Sequence, residues 1–187
     1  MKEMSSVKRA CICAICMALC YVLPLAFHAF GVGELFLPMH IPVLLCGMIC
    51  GWAYGAFCGI AAPILSCALS GMPSATGLIS MVPELCCYGL ISGLVLRFVH
   101  TKNSYADLYI ALVIAMLIGR VAGGAAKALF YLSGMSAMTE FSFSLLAASY
   151  FVESLPGIAV QLIILPTLVF TLMKAKLIPE RYPKKEK

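Results

Sequence analysis

The run Ile110–Leu132, IALVIAMLIGRVAGGAAKALFYL, decides how this chain must be read. As an α-helix rising 1.5 Å per residue it reaches about 34 Å, enough to cross the hydrocarbon core of a bilayer. Two cations, Arg120 and Lys127, interrupt it. A cation at membrane depth costs roughly 2.5–3.5 kcal/mol on insertion scales and usually marks a ligand or ion site. The pair is therefore the leading clue to function.

Composition extends that reading to the whole chain. The 187 residues are 63% hydrophobic and 11% charged, against about 25% charged in an ordinary soluble domain, which argues against a soluble fold. The expected fold class is all-α: a polytopic membrane protein of six transmembrane helices forming one integral-membrane domain over residues 1–187. The helices are predicted at about 8–29, 40–52, 54–70, 78–98, 106–132 and 147–173, followed by a basic cytoplasmic tail at 174–187. The first run follows Lys8 and Arg9 but exceeds a signal-peptide core and lacks a clear cleavage site, so it reads as a retained helix. The apolar stretch Leu35 to Leu69 is too long for one span, and its turn is expected across Gly51–Gly55, leaving a short second helix.

Charge sets the orientation. Apart from Arg120 and Lys127, every Lys and Arg falls at the N-terminus, in the 97–107 loop or in the C-terminal tail. With six spans all of these lie on one side, and the positive-inside rule makes both termini cytoplasmic. The net charge of +5 thus reflects topology, and no nucleic-acid partner is expected.

This topology assigns a depth to each polar residue. Arg120 and Lys127 are seven positions apart, so they share one face of helix 5, with Gly123 and Gly124 between them. Those glycines leave either a groove for a ligand or a seat for a neighbouring helix. Helix 4 carries Glu84 near its outer end with Tyr88 a turn below, and helix 6 carries Glu153, Gly157 and Gln161 on one face. His40 opens helix 2 from outside. All three histidines map near interfaces, and His28 and Glu34 read as loop or interface residues. Arg120, Lys127, Glu84, Glu153, His40, Tyr88, Gln161, Gly123 and Gly124 are the candidate substrate-binding set. Outer loops at 31–38, 71–77 and 133–143 can cover it. Glu84 and Glu153 either neutralise the two cations as buried pairs, or belong to a network that opens to a ligand carboxylate; the two roles are compatible.

The ten cysteines read as small apolar residues, and no metal site or cofactor is expected. Cys13 and Cys16 have CxxC spacing, but in an apolar helix without polar partners. There is no GxxxxGK[ST] phosphate loop, HExxH or GxSx nucleophile with a partner histidine, so the chain is not expected to be an enzyme. Ala10, Ala14 and Ala18 form a smooth stripe on helix 1 that another helix can approach closely.

These segments together resemble a known family. Met39-His40-Ile41-Pro42, the Gly51-to-Gly59 turn, Pro63 with Ser66, and Ser70-Gly71-Met72-Pro73 are similar to the substrate-binding S components of energy-coupling factor (ECF) transporters. So are Glu84-Leu85 with Tyr88-Gly89-Leu90, Gly119-Arg120, and Leu155-Pro156-Gly157-Ile158 with Gln161. The resemblance implies a multi-pass protein of the bacterial plasma membrane that binds a vitamin outside. It implies work with a membrane coupling subunit, docked on the Ala10, Ala14, Ala18 stripe, and with two cytoplasmic ATPases. Two cations suit a carboxylate, as in pantothenate or nicotinate, and pantothenate is favoured on that argument together with the family precedent. The rivals are a stand-alone secondary carrier and, further off, an intramembrane enzyme.

Overall fold

A computed structural model describes residues 4–29, 38–101, 103–133 and 155–178. Within them lie six helices: α1 (Ser6–Ala29), α2 (His40–Cys50), α3 (Trp52–Ser70), α4 (Ala75–Phe98), α5 (Ser104–Leu132) and α6 (Leu155–Lys174). There are no strands among the described residues. Five of the helices are long and apolar enough to cross a membrane. The sixth, α2, has 11 residues and rises only about 16 Å, half of a hydrocarbon core of about 30 Å.

The turn expected across Gly51–Gly55 narrows to one residue. Gly51 takes φ 96°, a conformation that side chains with a Cβ rarely adopt, and α3 resumes at Trp52. The loop expected at 71–77 also shortens. Ser74 caps α4, its Oγ accepting from the Gly77 N–H at 3.3 Å, so the helix begins at Ala75. At the other end of the chain reversal, Ser66 Oγ donates to the Met72 carbonyl at 2.7 Å and ties the α3–α4 connection down.

The packing rests on backbone contact. A Cβ placed on Gly55 or Gly47 would strike the Gly89 carbonyl, and one on Gly59 would strike the Leu85 carbonyl. Gly47, Gly55 and Gly59 therefore bring α2 and α3 directly onto α4, as small residues do where lipid offers no hydrophobic drive for helices to associate. Between α4 and α5, Asn103 caps the Tyr105 N–H at 3.1 Å, and buried Asp107 accepts from Thr101 N–H at 2.9 Å and Thr101 Oγ at 2.6 Å.

The core runs along α2, which is buried over most of its length. On α1, Cys13, Cys16 and Cys20 face this core, whereas Ala10, Ala14 and Ala18 are exposed. Of the five long helices α1 buries the smallest share of its apolar stretch and α5 the largest.

Candidate functional site

Because α2 is half a span long and ends at the Gly51 turn, its first residue lies deep in the bundle. His40 is 2% exposed, and its ring meets Tyr88 edge-on at 5.2 Å between centroids. The ring is packed against α4, beside Glu84.

Glu84 is likewise inside the bundle. With α4 starting at Ala75, its carboxylate lies near the middle of the helix, and the residue is 7% exposed. Tyr88, fully buried one turn on, donates its hydroxyl to Glu84 Oε1 at 3.1 Å. His40 Nε2 approaches the same oxygen at 3.5 Å, an ion-pair distance that is long for a hydrogen bond. Two elements distant in sequence thus converge on one carboxylate oxygen.

The glycines of α5 explain how that carboxylate fits. A Cβ on Gly123 would lie 2.8 Å from Glu84 Oε2 and 2.9 Å from its Cβ. One on Gly119 would strike the Tyr88 ring. Of the two uses open to this face, Gly123 serves as a seat for α4 rather than as a groove. Gly119 was not among the expected site residues, although its place one turn before Gly123 was the available signal. Gly124 is buried on the same helix.

Arg120, between these glycines, is 3% exposed, and Lys127 is partly buried; both engage partners. On α6, Gln161 is fully buried, and neither its amide oxygen nor its nitrogen has a hydrogen-bond partner among the described residues. The same holds for His40 Nδ1. Glu153 and the loops at 31–37 and 134–143 lie outside the described residues.

The chemistry available is mixed. A guanidinium can hold an anion bidentately, a carboxylate beside an imidazole can accept from hydroxyl or amine protons, and a primary amide can do either. Such groups inside a membrane bundle face its interior and mark substrate paths.

A family model described as the substrate-specific component of ECF transporters matches residues 8–169. The chain belongs to this family. No curated protein and no solved structure matches it. As an ECF substrate-specific component it is a membrane transport subunit that binds a small molecule for import, and not an enzyme. Association with ECF membrane and ATPase subunits comes with that membership.

Proposed function

We propose that this substrate-specific component captures a vitamin or related micronutrient on the outer side of a bacterial plasma membrane, in a pocket built from His40, Glu84, Tyr88, Arg120 and Gln161. Lys127 and Glu153 complete its outer wall. Gly123 sets how closely α5 approaches α4, and Gly124 lies beside it on the same helix. Both termini are cytoplasmic, α2 counts as the sixth membrane helix, and the energy comes from two ATPase subunits rather than from this chain.

The observation that supports the reading is that α2, α4, α5 and α6 each bury polar side chains, with His40, Glu84 and Tyr88 meeting at one carboxylate oxygen. A buried donor or acceptor left unsatisfied costs about 1–3 kcal/mol. Gln161 offers two such atoms and His40 Nδ1 a third, among the described residues. A ligand with hydroxyl, amide and carboxylate groups satisfies them while Arg120 holds its charge. Pantothenate has that combination and is the favoured vitamin.

The exposed stripe Ala10, Ala14, Ala18 docks the coupling subunit. Its small side chains let a partner helix approach closely, and α1 is the long helix least engaged within the chain.

Mass spectrometry of the small molecule that co-purifies with the protein tests the pocket. A carboxylated vitamin lost from Arg120→Met supports it, and a molecule without any anionic group removes the role of Arg120. Uptake by the chain alone in liposomes would favour a secondary carrier, whereas uptake only with the ATPase module supports the proposal.

A further inference from the structure

The cysteines do not behave as scattered apolar filler. Cys13 of α1, Cys46 of α2 and Cys58 of α3 place their Sγ atoms within 4.8 Å of one another, and all three are buried. Cys16, Cys20 and Cys50 are buried around them. Cys50 lies one turn after Cys46 on α2, and Cys20 one turn after Cys16 on α1. The other four, Cys11, Cys67, Cys86 and Cys87, are exposed or half-buried. Filler needs only small volume, which alanine or valine also supplies. It gives no reason for three separate helices to turn their sulfurs towards one point.

We propose that Cys13, Cys46 and Cys58 form a binding site for a soft monovalent metal ion, Cu(I), which clips α1 to α2 and α3. Metal–sulfur bonds of about 2.3 Å place the sulfurs of a three- or four-coordinate site about 3.8–4.0 Å apart. The thiols therefore need to close by no more than about 1 Å. The three ligands are all sulfur, which selects soft ions over magnesium or calcium. Two thiols lose their protons as their sulfurs bond Cu(I), which leaves the bis-thiolate site with one net negative charge, and the third sulfur closes the shell. The two released protons go to solvent. Coordination number favours Cu(I), which two or three soft sulfurs satisfy, whereas Zn2+ prefers a fourth ligand.

A cavity of about 450 Å³ opens at the end of the bundle where α2 meets α3, and Gly47, Cys50 and Tyr54 line it. Cys50 follows Cys46 by one helical turn on α2, so it can pass the ion inward by ligand exchange. Met39 and the partly buried Met17 add soft sulfur to the same core.

The test uses the full-length chain in detergent under a reductant, with Cu(I) titrated against a chromophoric Cu(I) chelator. One Cu(I) per chain should be retained, with ultraviolet thiolate-to-copper charge-transfer absorption. Cys58→Ala and the more volume-conserving Cys58→Val should each weaken retention at least a hundredfold. Cys67→Ala and the double change Cys86→Ala with Cys87→Ala should leave it unchanged. A readout that needs no variant is the thermal midpoint of the unaltered protein. It should rise by several degrees with one equivalent of Cu(I) and fall back when the chelator is added, because binding to the folded state alone stabilises it. No retention by the unaltered chain, or undiminished retention in both Cys58 variants, overturns the site. Retention of Zn2+ but not Cu(I) overturns the assignment to a monovalent ion.

Discussion

His40, the first residue of α2, lies 3.5 Å from Glu84 of α4 inside the bundle, and Tyr88 shares the same carboxylate oxygen. The arrangement joins the half-length helix to the long one through a polar contact where each partner is nearly inaccessible to water. Removing one member of such a group leaves the others buried and unsatisfied.

Tyr88→Phe deletes one hydrogen bond and keeps the ring against Gly119 and His40. It should lower stability by about 1 kcal/mol, and Glu84→Leu, which strips Tyr88 of its acceptor and His40 of its charge partner, by about 2–3 kcal/mol. Thermal unfolding in detergent, followed by circular dichroism, reads both. A Glu84→Leu protein more stable than the parent shows that the carboxylate is held for function and not for folding.

Gln161→Leu separates binding from stability in the other direction. It replaces a buried amide that has no hydrogen-bond partner among the described residues with an apolar group of similar size. The ligand-free protein should gain about 1 kcal/mol or stay unchanged, while affinity for the co-purifying molecule falls at least tenfold. Titration calorimetry and thermal unfolding report the two quantities. Unchanged affinity removes Gln161 from the pocket.

Gly89→Ala should disrupt the bundle, because the new methyl group would strike the Gly55 carbonyl and neither backbone can yield cheaply. Overpacking of this kind costs about 1–3 kcal/mol. Gly77→Ala is the matched control in the first turn of the same helix, where the nearest atom would be Ser74 Oγ at 3.3 Å. The yield of folded protein after size-exclusion chromatography should fall for the first variant and hold for the second.

Ala14→Trp tests the docking face. Ala14 is exposed on α1, so folding and ligand binding should be retained. ATP-driven uptake by the assembled transporter should fall to near background. Loss of ligand binding together with transport indicates a folding role for the stripe instead.

Hydropathy and the spacing of charges made much of the molecule legible. They define long apolar helices and two cations within one of them, because the bilayer imposes a length on each span and a high cost on each charge. The meeting of His40 with Glu84 and Tyr88 was not legible. It depends on how α2 packs against α4, two helices distant in sequence. Whether Gly123 made a groove or a seat was also undecided by spacing, since either use needs the same missing side chain. The partner that fills the space, Glu84, comes from another helix.

The cysteines mark the same boundary. Composition and periodicity identify them as small apolar residues in helices, and nothing local distinguishes Cys13 from Cys11. The tertiary structure turns one inward and leaves the other exposed. By itself the sequence determined a helical membrane protein of the ECF substrate-specific class, because hydrophobic length and ordered motifs are properties of the linear chain. Which polar groups and which sulfurs meet was decided only in three dimensions. Glycine contacts between α2, α3, α4 and α5 set the helix spacing, and distance between side chains on different helices is not encoded in their local periodicity.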